Sequence, residues 1–327
     1  QVYDLDDGGI RRRRPQGEAG NVNLDNEDAT AQQNGYGASH VAVGSNDRLY
    51  IVGDRFLYEL RASTLQQRTI TGRTQLTLES FSTVGHIEML NDQILTIGPD
   101  IKVLAEGAPV ATTPTVLHDT DTYLSSTSFS FGDTRYVAVS AEHGFVVVGS
   151  VDGGAPQVVS FLDTEFDTAR IHQFFNTPKG IAFDNATGSL LLGDHGRVIV
   201  LQAPNFIYDE DADEGDWVLP GDTSGIDVAA IAARGGFAWV VLRRSNDNLI
   251  KLDLSTTPPT AVLVETIDTG GFGRHIAVGC KRVFITAPSK VIAVRRDDLG
   301  PAGTVAVTDL ERIRIVGRTA LGIAGDD

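Results

Sequence analysis

Three observations in the sequence predict an all-β fold. Short apolar runs with the form of strand starts recur 44 to 50 residues apart. Each is followed by two more runs that are rich in Val, Ile, Leu and aromatic residues and bounded by Gly, Asp, Asn or Pro, as in short antiparallel strands. No segment has the periodicity of a three-turn amphipathic helix, although Asp167–Phe175 is a candidate for one short helical turn. Four-stranded units of about 45 residues in radial array are β-propeller blades. The sequence therefore predicts one β-propeller domain over 1–327, with seven blades or, as the alternative, six.

Each repeat is recognised by its first apolar run. These runs begin at His40, His86, Tyr136, Gly180, Val228, His275 and Gly322. In the fourth repeat, Pro178–Leu201 reads PKGIAFDNATGSLLLGDHGRVIVL, which resembles the repeat of NHL and gluconolactonase-like propellers. The resemblance covers this blade well and the other blades loosely. It implies the propeller superfamily, and it transfers no catalytic residue.

The two ends of the chain predict a last blade that they share. Gln1–Asp7 has the form of a third strand and Ile10–Arg14 that of a fourth, whereas the run at Gly322 has the form of a first strand. The second strand is missing from this pattern, and 17–39 is expected to be a polar loop or extension. An open blade would accept a strand from another chain, so the sequence predicts a protein partner or self-assembly there. A three-stranded closing blade is the alternative.

Composition limits the partners and the location. A net charge of −16 argues against nucleic acid, because phosphate binding requires clustered Lys and Arg. No apolar stretch reaches the roughly 20 residues of a membrane helix, so direct membrane insertion is not expected. Cys280, the one cysteine, lies in an apolar run and is expected to be buried. The chain begins at Gln1 rather than Met and carries the sequon Asn185–Thr187, so a secreted, extracellular or cell-surface protein is expected.

Three histidines and a set of turn residues are the first candidate site. His40, His86 and His275 begin first strands of near-neighbouring blades, so their imidazoles would converge on the channel and could hold a transition metal such as Zn²⁺. The turns between second and third strands on the same face carry candidate ligand-binding residues, which are Asp54, Asp100, Asp152, Asp194, His195 and Asp247. The alternative is structural, because Asp is an ordinary turn former and a His at a strand start often hydrogen-bonds a neighbouring blade.

An acidic loop over 209–216 is the second candidate site. Its possible calcium ligands are Asp209, Asp211, Asp213 and Asp216. Carboxylates at alternate positions followed by Gly can surround Ca²⁺, which takes six to eight oxygen ligands. The loop is expected on the face opposite the histidines, where bound Ca²⁺ would be structural. A solvated acidic loop is the alternative.

No nucleophile elbow, zinc-protease helix motif, phosphate loop or dinucleotide fingerprint occurs in the sequence. The first functional hypothesis is therefore an extracytoplasmic, non-catalytic recognition or assembly module, within a surface structure. The alternative is a metal-dependent hydrolase, lactonase or lyase with its site at the channel mouth. The expected cofactor is Ca²⁺ or a transition metal, or none.

Overall fold

The structure is a computed structural model that describes residues 2–6, 9–12, 38–45, 48–53, 56–61, 70–75, 86–97, 101–107, 115–118, 129–130, 136–140, 142, 144–151, 156–161, 169–172, 180–194, 196–203, 216–218, 226–243, 247–269, 273, 275–306, 310–316 and 319–324. Within these ranges every regular element is a β-strand. The same ranges contain no helix of the length and apolarity that a membrane crossing requires.

The described strands form seven antiparallel sheets. They are numbered here from the first sheet whose strands all follow one another in the sequence. Sheet 1 contains β3 (Ala38–Val43), β4 (Arg48–Gly53), β5 (Phe56–Arg61) and β6 (Ile70–Gln75). Sheet 2 contains β7 (His86–Leu90), β8 (Gln93–Ile97), β9 (Ile101–Ala105) and β10 (Thr115–His118). Sheet 3 contains β11 (Phe129–Ser130), β12 (Tyr136–Ser140), β13 (Gly144–Val151), β14 (Pro156–Phe161) and β15 (Ala169–His172).

The remaining sheets complete the order. Sheet 4 contains β16 (Ile181–Asp184), β17 (Ser189–Asp194), β18 (Arg197–Gln202) and β19 (Trp217–Val218). Sheet 5 contains β20 (Asp227–Ala233), β21 (Phe237–Arg243), β22 (Asp247–Asp253) and β23 (Thr260–Ile267). Sheet 6 contains β24 (His275–Val278), β25 (Arg282–Ala287), β26 (Lys290–Arg295) and β27 (Pro301–Ala306). Sheet 7 joins the chain ends in the order β28 (Leu310–Val316), β29 (Thr319–Ala324), β1 (Val2–Asp6) and β2 (Gly9–Arg12).

Contacts between the sheets follow the chain. The first strands contact one another in sequence, β3 with β7, β7 with β12, β12 with β16, β16 with β20, β20 with β24 and β24 with β28. Strand β28 also contacts β3, so each described sheet lies against two others.

Apolar side chains fill the spaces between the sheets. Ile250 and Val240 lie in a buried cluster with residues of sheet 4, whereas Trp239 and Leu249 lie in a second cluster with residues of sheet 6. Successive residues of a strand point to opposite faces, which explains why adjacent residues join different clusters. Both faces of sheet 5 are therefore covered.

The joining of the two chain ends in one sheet, which the sequence predicted, is confirmed. Strand β1 pairs with β29 through Tyr3 opposite Ala320, and β2 follows β1 as the outermost strand. The predicted strand order was wrong, because Gly322 lies in β29, the second strand. Leu310–Val316 is the first strand, since it contacts β24 and β3. This sheet has four strands, so the expectation of a missing second strand, on which assembly at that blade rested, is also wrong.

One further local prediction fails, and one lies outside the described residues. Ala169–His172, inside the segment considered for a helical turn, is strand β15 and pairs with β14. Pairing with a neighbouring strand overrides the weak local preference of so short a segment. The polar stretch 17–39 is described only from residue 38, where β3 begins.

Candidate functional site

The structure describes four of the predicted site side chains, those of His40, His275, Asp194 and Asp216. For His86 and Asp247 it describes the strand but not the side chain. The other predicted site residues lie outside the described part, and they are Asp54, Asp100, Asp152, His195, Asp209, Asp211 and Asp213.

Asp194 and Asp216 are brought together by an arginine that the sequence analysis missed. Asp194 ends β17 and Arg197 begins β18, and the two residues are paired across the turn. One guanidinium nitrogen of Arg197 lies 3.5 Å from Asp194 Oδ2, and the other lies 3.7 Å from Asp216 Oδ2. The Val200 amide also donates to Asp216 Oδ1 at 3.3 Å. An Arg three residues after the predicted Asp194 was the available signal.

The burial of the two carboxylates indicates that this cluster has a structural role. The carboxylates of Asp194 and Asp216 are 2% and 6% exposed, whereas the Arg197 side chain is 25% exposed. Removing one partner from such an arrangement leaves a buried charge without compensation, which is costly. Arg197 therefore holds both carboxylates, fixes the turn, and presents one partly exposed guanidinium at this end of sheet 4.

The expected location of the acidic loop was wrong for Asp216. The sequence placed the loop at the end of the sheet opposite Asp194, but Asp216 lies within ion-pair distance of the same Arg197. Pairing of Trp217 with Val198 brings Asp216 to this end of sheet 4. The reason is the short last strand of sheet 4, β19, which no local sequence pattern predicted.

The two described histidines lie on different first strands. His40 is 5% exposed on β3, and His275 is partly buried on β24. Strand β28 contacts both of these strands. Among the side chains that the structure describes, no three His, Cys, Asp or Glu groups come together in a way that could hold a metal ion. The histidine and calcium sites therefore stay predictions.

The opposite end of sheet 4 carries a buried carboxylate that sequence reasoning also missed. Asp184 Oδ2 accepts from the Thr187 amide at 3.1 Å, the Thr187 hydroxyl at 2.8 Å and the Gly236 amide at 3.0 Å. Gly236 lies in the turn between β20 and β21 of sheet 5, so this carboxylate links two sheets. Asn185 Oδ1 accepts from the Ser140 hydroxyl of sheet 3 at 2.9 Å. The signal was the Asp-x-x-Thr spacing, which favours a side-chain-capped turn.

A comparable link joins sheets 1 and 2. The Ser45 hydroxyl donates to Glu106 Oε2 at 2.7 Å, and the Gly107 amide donates to the Tyr50 hydroxyl at 3.2 Å. Tyr50 is 1% exposed. Burial raises the pKa of the Tyr50 phenol above its ordinary value, because the phenolate would be poorly solvated.

Three cationic side chains of sheets 5 and 6 lie close to aromatic rings or to Cys280. Lys251 lies 4.5 Å from the Phe237 ring centroid, and Arg296 lies 5.3 Å from that of Trp239. Arg234 Nη2 lies 3.6 Å from Cys280 Sγ. Cys280 is exposed, so the expectation of a buried thiol was wrong. It lies in the turn between β24 and β25, outside the apolar positions of either strand.

Comparisons with known proteins establish fold similarity only. No family model matches the chain, and no curated protein matches it. PorZ, described as an essential bacterial surface component of the type-IX secretion system of Porphyromonas gingivalis, is 12% identical with a TM-score of 0.57. The match covers 85% of this chain but 34% of PorZ, so the chain spans about a third of that protein's length.

Two further solved structures are similar over most of their own length. The WD40 domain of Neurospora crassa Pan2 is 10% identical with a TM-score of 0.57, and the match covers 89% of this chain and 86% of that one. A chain of a nidogen/laminin complex is 11% identical with a TM-score of 0.50, over 79% and 92% respectively. WD40 domains are propellers, so the chain has a β-propeller-like fold. The resemblance of Pro178–Leu201 to NHL and gluconolactonase-like repeats stays a prediction.

Proposed function

We propose that the chain is a single seven-bladed β-propeller whose last blade is completed by both chain ends. Support comes from the circuit of contacts between first strands, which returns from β28 to β3, and from the pairing of β1 with β29. A circular permutant tests this architecture. Joining residue 327 to residue 1 and opening the chain between sheets 3 and 4 should preserve cooperative unfolding, since each sheet keeps all its strands. Loss of folding in this permutant, but not in one opened between sheets 6 and 7, contradicts a closed ring.

We further propose that this propeller is a non-catalytic recognition or assembly module at a cell surface. The observation that carries the proposal is the use of the described buried carboxylates inside the scaffold. Asp194 and Asp216 hold Arg197, and Asp184 joins sheets 4 and 5. Because these carboxylates are bound inside the scaffold, we assign recognition to side chains on its outer surface, which the scaffold holds in place. The bacterial surface role printed for PorZ supports the location, as does the match to one part of that larger protein.

Native fractionation of the source cells tests this function. Antibody detection should find the intact protein in the surface or secreted fraction and in a complex larger than the 35.0 kDa chain. The purified chain run alone is the matched size control. Recovery only inside the cells, at the size of the purified chain, would contradict the proposal.

A further inference from the structure

The outermost strand of sheet 5 is unusually long. Strand β23 has 8 residues, whereas the outermost strands of the other sheets in the described part have 2 to 6. One edge of β23 pairs with β22 from Thr260 to Ile267, with one register shift at Val262. Within the described residues no strand pairs with its other edge. That edge presents a long row of backbone N–H and C=O groups of the kind that accepts a further strand.

The same strand carries exposed aliphatic side chains. Val262 is 45% exposed and Val264 is 57% exposed, and they are the exposed large hydrophobic residues of the described part. Val264 is paired with Ile250, whose side chain is buried against sheet 4. Sheet 4 ends in the two-residue strand β19, which explains why the apolar face of sheet 5 extends beyond its neighbour.

Strand β23 has one feature that can disfavour edge pairing, a register shift at Val262, but it lacks proline and lysine. Thr260–Ile267 contains no Lys, Arg, Pro or Gly, and Glu265 is its one charged residue. The corresponding strand of sheet 6 differs, because β27 begins at Pro301, contains Gly303 with φ of +143°, and contacts β2. Natural proteins block exposed edges with charges, proline or a covering segment. The edge of β23 is therefore longer and less protected than that of β27, which makes it the candidate for strand addition.

We infer that β23 is a docking edge for an extended, basic segment of a partner protein, which adds a fifth antiparallel strand to sheet 5. Aliphatic residues of the segment pack on Val262 and Val264, and a Lys or Arg pairs with Glu265. Charge selects this occupant over a second copy, since two copies would bring together chains with a net charge of −16 each. This inference rests on the proposed recognition function and names the chemistry of its partner.

A labelled peptide tests the edge directly. The probe is an end-capped, fluorescein-labelled octapeptide that alternates Val and Lys, and its matched control carries Glu in place of Lys. Fluorescence anisotropy should show binding of the Lys peptide, weakened at least tenfold by Val264→Lys, because the cation repels the probe and removes the apolar contact. Glu265→Lys should weaken the Lys peptide and strengthen the Glu peptide. Thr304→Lys, an equivalent change at an exposed position of β27, should leave binding unchanged.

Hydrogen exchange and size measurement complete the test. Bound peptide should slow exchange of the β23 amides, and equal binding to the wild type and Val264→Lys overturns the inference. A wild-type dimer that Val264→Lys converts to a monomer overturns the basic partner in favour of a second copy. If the peptide does not bind but the protein is found in a surface complex, the docking edge is wrong and the proposed surface function stands. If the peptide binds but the protein is found only inside cells, the proposed surface function is wrong and the docking edge stands.

Discussion

Replacement of Gly180 by Ala tests the close approach between sheets 4 and 5. Gly180 has φ of +76°, and a Cβ built there would lie 2.8 Å from the backbone nitrogen of Ile231 in β20. The left-handed conformation costs about 1 to 2 kcal/mol for a residue with a side chain. Overpacking against a backbone atom that no rotamer change can move adds about 1 to 3 kcal/mol. The expected loss of unfolding free energy is therefore about 2 to 5 kcal/mol.

Gly235→Ala is the matched control for this change. Gly235 has φ of +63°, but its added Cβ would meet only a guanidinium nitrogen of Arg296 at 3.5 Å. Its loss should equal the conformational cost alone, about 1 to 2 kcal/mol. Urea unfolding followed by fluorescence measures both losses, because the two tryptophans of the chain, Trp217 and Trp239, lie in sheets 4 and 5. Equal losses for the two variants would refute the close approach of the sheets.

Four further predictions concern polar groups and metals. Asp184→Ala should lower the unfolding free energy by about 3 kcal/mol, because two partly buried amides and a hydroxyl lose their acceptor. Asp184→Asn should lose less, and denaturant titration measures both losses. Arg197→Leu should lower the unfolding free energy by about 3 kcal/mol, because it leaves two buried carboxylates without their cation. Denaturant titration measures this loss, and an unchanged unfolding free energy is the contrary result. Because burial raises the pKa of Tyr50, its contribution to stability is complete below the ordinary phenol pKa of about 10 and falls as pH rises beyond it. The stability advantage of the wild type over Tyr50→Phe should therefore shrink above about pH 10. The histidine hypothesis predicts that Zn²⁺ raises the melting temperature of the wild type but not of His275→Ala, and an equal response in both would count against it.

Local sequence patterns predicted the positions of the strands, but they did not predict which strands contact one another. The run at Val228 is continuously apolar, as a strand covered on both faces requires, so β20 was predicted at its observed place. Which apolar run of the last repeat forms its first strand was not predictable in this way. Gly322 and Leu310–Val316 both lie in apolar runs, and only contacts with β24 and β3 decide which run is the first strand.

Candidate sites were less predictable for a related reason. Asp194 was selected because turns favour Asp, and its partner Arg197 lies three residues further on. The second partner of Arg197, Asp216, follows a 13-residue connection after β18, so the local sequence did not predict the complete cluster. Cys280 was expected in the core because its flanking residues are apolar. A turn placed between β24 and β25 brings it to the surface instead.

The sequence by itself determined the repeated β-strands and the sharing of one sheet by the two chain ends, because apolar runs, turn residues and repeat spacing can be identified without knowledge of the neighbouring sheets. Only the tertiary structure decided which distant groups meet. Asp184 accepts a hydrogen bond from Gly236, which is 52 residues away. That meeting depends on the register of two sheets and on the close approach at Gly180. The relative position of the two sheets and their close approach depend on packing between them, which the sequence of a single repeat does not determine.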